Sequence, residues 1–439
     1  MKDPKKGFVS VFSGAGGLDL GLEAAGWHPL AQIECDADAV GTLELAARRR
    51  AKSADAPESL IIGRRIEEVK ASSLRKQLGL KPGELELIAG GPPCQPFTTH
   101  GLRQALLDRR AAEVWPTYLE YIDEFVPRAL LIENVDGLLS AALKHRPLAQ
   151  RGRGTEPLSF EEMKGSFLHW LLNELANRGY TVAWGLAEAA DYGVPQMRQR
   201  TIIIGVRGSA PCYLPSARFG LQGQAPFRTL RDATSNLAEL GPVQPLSERK
   251  SKVYSTIPAG GNWRDLPIDV QESTMGRAHF AEGGKSGWWR RLSWDAPTPT
   301  ILGMPDHSST ALIHPDEVRC LSVYECAAAQ SFPEGTEFAG TARSQYQQIG
   351  NAVPPLLGSA LGEQIATFLA GNAINVPEPP PWRRTSSNRR IGTHGWVIPS
   401  VDGTPEFTLL AKVRPDHVWA SLAEERASTT RGLVANALF

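Results

Sequence analysis

Between residues 7 and 204, short apolar runs alternate with segments of helical spacing, and this alternation constrains the fold more than any other feature of the chain. Runs rich in β-formers cover 8–12, 30–33, 85–89, 129–132, 181–186 and 201–206, and Ile61 and Ile62 form a short strand between the second and third of them. Segments 37–52 and 167–178 carry Ala, Leu, Glu and Arg at helical spacing. The expected architecture is α/β: a mostly parallel sheet with helices on both faces, whose ligands sit at the carboxyl ends of the strands.

At 439 residues the chain is too long for one core, and two or three domains are expected. Near residue 206 the texture changes. Gly and Pro become frequent, helical periodicity fades, and Trp263, Trp288, Trp289 and Trp294 appear. Helical character returns over 322–331 and after Pro355, and Pro377, Pro379, Pro380 and Pro381 mark a linker. Residues 1–205, completed by 323–372, are therefore expected to form one domain. Residues 206–322 form a smaller, loop-rich second domain, and 373–439 a linker and C-terminal appendix with no readable role.

Composition excludes several classes. Five cysteines, at 35, 94, 212, 320 and 326, fit neither a disulfide framework nor zinc-finger spacing. The expectation is a reducing cytoplasm, no metal, and a thiol free for chemistry. The lysines and apolar residues at the start superficially resemble a secretion signal, but four glycines and Asp19 interrupt the run. No apolar stretch is long enough to cross a bilayer, so no membrane partner is expected. The formal net charge is +0, so a polyanion would have to be met by a locally positive groove.

Five motifs stand out. Phe12-Ser13-Gly14-Ala15-Gly16-Gly17-Leu18-Asp19 follows the first strand and precedes a helix, and its glycines permit close approach to a bound cofactor. A dinucleotide fingerprint would need glycine at 19, so Asp19 favours a nucleoside cofactor. Glu34 ends the second strand, where a carboxylate can accept hydrogen bonds from ribose hydroxyls; on residues alone, an ordinary Gly-rich turn and a surface carboxylate fit equally. Gly90-Gly91-Pro92-Pro93-Cys94-Gln95-Pro96-Phe97 frames one cysteine with two glycines and three prolines. A buried core cysteine needs no such frame, whereas a nucleophilic thiolate does. Glu133-Asn134-Val135 ends the strand 129–132 and, taken alone, reads as a helix N-cap with a solvated carboxylate. In Gln196-Met197-Arg198-Gln199-Arg200, strand alternation puts Gln196, Arg198 and Arg200 on one face, and two arginines suit a phosphate or a base edge. Gly350-Asn351-Ala352-Val353-Pro354-Pro355 looks like a loop entering a helix.

In order along the chain, FSGAGGLDLGL, GGPPCQPF, ENV, DYGVPQMRQR, RLSWDAPTPTI and YQQIGNAVPP resemble the DNA (cytosine-5)-methyltransferases of bacterial restriction-modification type. The resemblance spans about residues 8–369. It implies a Rossmann-like, S-adenosyl-L-methionine-dependent sheet with residues 206–322 as target-recognition domain. It also implies a monomer that methylates carbon 5 of cytosine within a specific double-stranded DNA sequence, through a covalent Cys94 adduct to a flipped-out base, and so protects DNA from a cognate restriction enzyme. Phe12, Gly14, Gly16, Leu18, Ile66 and Pro93 would line the cofactor site, Glu34 would hold the ribose, and Asn351 and Val353 would close the site. Cys94 would attack carbon 6, Glu133 would hold and protonate N3, and Arg198 and Arg200 would help position the target base. Gln95 and Gln196 would face the DNA substrate, as would Arg291, which with the Thr300-Ile301 turn would also brace the recognition domain. One departure stands at Arg65-Ile66, where the family has Asp-Ile against the adenine; Cys35 also replaces an aromatic residue there. In the recognition domain, Gly260-Gly261-Asn262-Trp263-Arg264 and Lys285-Ser286-Gly287-Trp288-Trp289-Arg290-Arg291 suit loops entering a groove, although each tryptophan fits a small core equally well.

Overall fold

A computed structural model describes residues 6–51, 59–93, 109–151, 154–208, 210, 212–220, 224–280, 287–371, 392–399 and 405–409. Its strands are β1 (Gly7–Val11), β2 (His28–Glu34), β3 (Leu60–Gly63), β4 (Leu87–Gly90), β5 (Ala129–Asn134), β6 (Tyr180–Glu188), β7 (Gln196–Met197), β8 (Gln199–Arg207), β9 (Thr298–Pro299), β10 (Gly392–Ile398) and β11 (Glu406–Leu409). The helices are α1 (Gly17–Ala24), α2 (Ala37–Ala51), α3 (Ala71–Gln77), α4 (Arg109–Phe125), α5 (Ser166–Asn177), α6 (Leu230–Thr234), α7 (Glu248–Tyr254), α8 (Ile268–Met275), α9 (Arg277–Phe280), α10 (Val323–Ala329), α11 (Ala342–Asn351) and α12 (Pro355–Leu369).

Among the described residues, nine strands form one sheet in the order β11-β10-β6-β8-β5-β4-β1-β2-β3. β1 pairs in parallel with β2 and β4, β2 with β3, and β4 with β5. β8 is inserted antiparallel between β5 and β6. The appendix is not separate from the sheet: β10 pairs antiparallel with β6, and β11 with β10. Val397 is fully buried, and Phe407 stacks on His169 of α5 with ring centroids 5.0 Å apart.

Strand alternation divides the interior in two. Val9, Val11, Ile33, Ile88, Leu130 and Ile132 face Leu74, Trp115, Tyr118, Phe167 and Leu171 from α3, α4 and α5. Phe8, Leu87, Ala89, Leu131, Ile202 and Ile204 face Leu18 and Leu22 of α1 and Leu357, Leu361 and Ile365 of α12. Burying each such aliphatic side chain is worth roughly 1.5–3 kcal/mol, enough to hold a helix from the far end of the chain on this face. α12 approaches α1 closely because glycine meets glycine. A Cβ on Gly21 would sit inside contact distance of the Pro355 carbonyl oxygen and 2.7 Å from Gly358 Cα.

The described part of residues 206–322 carries four short helices, α6 to α9, where fading periodicity predicted loops. Two of these helices and one 3-10 turn carry cap signals. Thr229 and Asp232 form a capping box at α6, Ser247 caps α7, and Asn262 and Asp265 box the 3-10 turn Trp263–Asp265. A local core gathers Tyr254, Ile257, Leu266, Met275, Trp289 and Ile313, with Trp263 and Trp288 packed against it. Trp289 is therefore a core residue of this cluster, and Trp263 and Trp288 pack on its edge. A second cluster, including Ala15, Leu230, Leu292, Ile301, Leu321, Tyr346 and Ile349, packs this region against the loop after β1 and against α11. No described helix is long and apolar enough to cross a membrane.

Candidate active site

The strand order reverses direction at β1, with β2 on one side and β4 on the other. Such a switch point opens a crevice at the carboxyl ends of the strands. The segments after β1, β2, β4 and β5 all reach that edge, and each carries one of the motifs singled out in the sequence.

On the β1–β2 side the surface is built from backbone. Phe12 has φ 58, a left-handed conformation that only over-determined sites keep in a residue with a side chain. Gly14 has φ 53, and a Cβ added there would meet no atom within 4 Å. Gly16, φ 75, opens α1 with no side chain capping the helix N-terminus. Glu34 accepts three backbone N–H bonds: Gly14 N at 2.8 Å on Oε2, Cys35 N at 2.7 Å and Asp36 N at 2.9 Å on Oε1. Asp19 lies beneath this loop, where it accepts from Ser10 Oγ at 2.7 Å and Gln32 Nε2 at 2.6 Å. Burial pushes its carboxyl up to about 6. A Cβ on Gly17 would collide with the Val353 carbonyl oxygen and stand 3.0 Å from Ala352 Cβ, so the 351–353 segment closes directly on the start of α1. The Gly-Asn pair there ends α11, and α12 begins at Pro355. Asn351 is exposed, Val353 nearly buried and Pro93 exposed. Leu18 and Ile66 spend their side chains on the two cores, Ile66 keeping 2 % of its surface, so neither presents an open face to a ligand.

On the β4–β5 side the surface is built from charged side chains. Glu133 is 8 % exposed and receives Arg200 Nε at 2.8 Å. Burial raises its carboxyl above the usual range, and Arg200 and Arg198 pull it back down. A Cβ on Gly91 would lie 3.0 Å from Glu133 Oε2, so glycine leaves that oxygen room beside the proline-framed loop. Asn134 is not a helix cap: its Nδ2 donates to the Pro92 carbonyl at 2.8 Å and fastens β5 to the same loop. Cys94 and Gln95 follow that loop and lie outside the described residues.

Two expectations are corrected. Alternation does turn Gln196 and Arg198 the same way, but into the protein. Arg198 is fully buried and donates to the carbonyls of Ile301 at 3.1 Å, Gly350 at 2.7 Å and Ala352 at 3.0 Å. Gln196 is fully buried too: its Oε1 accepts from Ile301 N at 2.9 Å and its Nε2 donates to Gln330. Neither side chain reaches the surface. The strand breaks at Arg198, between β7 and β8, and Arg200 beyond the break pairs with Glu133. Arg291 is buried as well, donating to the Ile257 and His314 carbonyls at 3.0 and 3.3 Å, so its guanidinium braces the 257–314 region from inside. The Thr300-Ile301 turn holds β7 from the other side, with Thr300 Oγ1 donating to the Met197 carbonyl at 2.9 Å. Gln330 was not singled out in the sequence, and no local pattern marks it.

A sequence profile described as C-5 cytosine-specific DNA methylase matches residues 7–367. Among curated proteins the chain is similar to Type II methyltransferase M.Sau96I of Staphylococcus aureus, 32 % identical over 82 % of this chain and 75 % of that one. It is similar also to M.PspPI of Psychrobacter sp. (strain TA137), 34 % identical over 82 % and 79 %, and to M.Eco47II of Escherichia coli, 32 % identical over 82 % and 79 %. Among solved structures, a putative DNA modification methyltransferase encoded within an E. coli prophage shares the fold, with TM-score 0.54 and 20 % identity over 83 % of this chain and 99 % of that one. With its profile match running from β1 into α12, the chain belongs to the C-5 cytosine-specific DNA methylases and is a DNA (cytosine-5)-methyltransferase.

Proposed function

We propose that the protein methylates carbon 5 of a cytosine flipped out of duplex DNA, at a sequence read by residues 206–322, with S-adenosylmethionine as donor and Cys94 as nucleophile. The observation that carries this reading is the buried Glu133–Arg200 pair, whose Glu133 Oε2 faces Gly91, three residues before Cys94.

The β1–β2 edge fits the donor. Three of the roughly four acceptor positions of Glu34 are filled by backbone N–H groups, and the open edge of this half-buried carboxylate suits a ribose hydroxyl. The uncapped N-terminus of α1 suits the donor's carboxylate, and the open space at Gly14 leaves room for it. When bound, the donor supplies an electrophilic methyl group.

Carbon 5 of cytosine is a weak nucleophile. The Cys94 thiolate adds to carbon 6 while the Glu133 carboxyl gives its proton to N3, which leaves carbon 5 enamine-like. A buried carboxyl whose proton is held above the usual range is suited to that task. After carbon 5 gains the methyl group it loses its proton to a base, the C6–S bond breaks to return the thiolate, and N3 returns its proton to Glu133. Arg200 holds Glu133 in place and offsets its charge as the adduct forms. Flipping the base costs a few kcal/mol, repaid by contacts in the pocket. The Type II relatives support a protective role against a cognate endonuclease.

The test is a denaturing gel of protein incubated with labelled S-adenosylmethionine and duplex DNA containing 5-fluorocytosine. Fluorine cannot leave carbon 5 as a proton does, so a labelled covalent band is expected, absent with Cys94→Ala. A band with RNA and none with any duplex DNA would replace the substrate, and a band that survives Cys94→Ala would remove Cys94 from the reaction.

A further inference from the structure

Three consecutive residues at the end of α10 grip the segment that closes the donor side. Gln330 is fully buried, and its Nε2 donates to the carbonyls of Ile349 at 3.2 Å and Ala352 at 2.7 Å while its Oε1 accepts from Gln196. Ser331 has φ 67, a left-handed conformation in a position where a helix end normally carries glycine. Its Oγ accepts from Leu356 N at 3.2 Å, a cap that Pro354, with no side-chain oxygen, does not give α12. Phe332 then lies under α1, 3.3 Å from where a Gly17 Cβ would stand. The segment 349–356 is thus held at both ends, with Asn351 and Val353 between the two anchors.

Strain at a side-chain-bearing residue persists only where the surroundings demand it. Here the demand is geometric: the same turn that strains Ser331 aims its hydroxyl at α12 and Gln330 at α11. Through Gln196 the grip continues into the strand that leads to Arg200.

We propose that Gln330 and Ser331 are positioning residues that set the affinity for S-adenosylmethionine by fixing Asn351 and Val353 against α1. The proposal rests on reading residues 12–34 and 351–353 as the donor site.

The test pairs Ser331→Gly with Gln330→Leu in the full chain, using calorimetric titration with S-adenosylmethionine and thermal unfolding without it. Glycine adopts φ 67 without strain, so Ser331→Gly removes the cap while relieving the backbone. Its dissociation constant should rise about fivefold with the unfolding midpoint almost unchanged, a split that a merely structural residue would not give. Gln330→Leu should weaken binding at least about tenfold, because it removes one donor from each of the Ile349 and Ala352 carbonyls and takes the acceptor from the buried Gln196 amide. Should Gln330→Leu fail to fold, Ser331→Gly decides. Wild-type affinity in a folded Ser331→Gly would overturn the proposal while leaving the donor site intact. A wild-type protein that does not bind the donor would overturn the site and the clamp together.

Discussion

The two sides of the crevice are made of different material. The β1–β2 side presents backbone: two glycines and Phe12 at positive φ, an uncapped helix N-terminus, and a glutamate already holding three amides. The β4–β5 side presents side chains: a buried carboxylate, its arginine, and the loop that leads to a cysteine. A backbone surface gives tight, shape-based binding and is altered only by moving the chain. A side-chain surface supplies protons and charge and can be disabled by exchanging one atom. The two sides should therefore separate experimentally, one governing donor affinity and the other governing turnover.

The largest separation is expected from Glu133→Gln. Losing the N3 acid should lower kcat by about 10²–10⁴-fold. Donor affinity by titration should stay within about twofold, since Glu133 touches none of the β1–β2 groups. A collapse of donor affinity in this variant would break the comparison.

Asp19 sharpens it, because it is a carboxylate on the backbone side with no chemistry to perform. Its carboxyl is held at about 6 in the folded protein, against about 3.9 in an unfolded chain. The folded state thus binds this proton more tightly than the unfolded state. The sign follows: Asp19 favours folding most below pH 4, and stability is lost as pH rises from 4 through 6. The loss is of order 3 kcal/mol for a shift of this size. Asp19→Asn should flatten that slope, measured as urea-unfolding free energy at pH 4 and pH 7 relative to wild type, and should leave kcat unchanged. An unchanged slope would mean that Asp19 is ionised throughout.

A smaller effect is expected at Gly17. An alanine there pushes on the Val353 carbonyl and moves the closing segment. Gly17→Ala should raise the donor dissociation constant about tenfold while kcat at saturating donor changes little. Gly21→Ala, one turn further along α1, meets α12 instead. It should cost about 1–3 kcal/mol of stability by overpacking and leave donor affinity alone.

How much of this was legible in the sequence follows the same division. Glu34, Glu133 and the Gly-rich loops could be placed at strand ends, where apolar runs stop and special backbone residues begin, but the burial of Glu133 could not be read, since taken alone it reads as a solvated carboxylate. Helix α2 could be placed to within one residue for a similar reason, a long run of helix formers. The inward turn of Arg198 could not be read, since alternation gives a face but not which face is solvent, and the strand breaks at that residue. β8 carries the same apolar signature as the parallel strands of the sheet, so its antiparallel insertion was invisible. Helices α6 and α7 span five and seven residues, too few turns for periodicity, although the Thr229–Asp232 and Ser247 caps were available signals. Gln330 had none: its importance comes from partners 134 and 22 residues away.

The smallest expected effect lies at the rim of the donor side, where Arg65 replaces the family's aspartate before Ile66. If that side is built from backbone, a side chain at its rim matters little. Arg65 supports this: its side chain is 47 % exposed and its ion pair with Glu67 spans 3.4 Å, a surface contact worth well under about 1 kcal/mol. Arg65→Asp loses that pair and restores a carboxylate where the family directs one at the adenine amino group. Donor affinity should therefore be unchanged or rise by up to about fivefold, the gain of one hydrogen bond. Stability should fall only slightly, from the new repulsion with Glu67. A clear loss of affinity would show that the guanidinium holds the donor itself, and the β1–β2 side would then depend on a side chain after all.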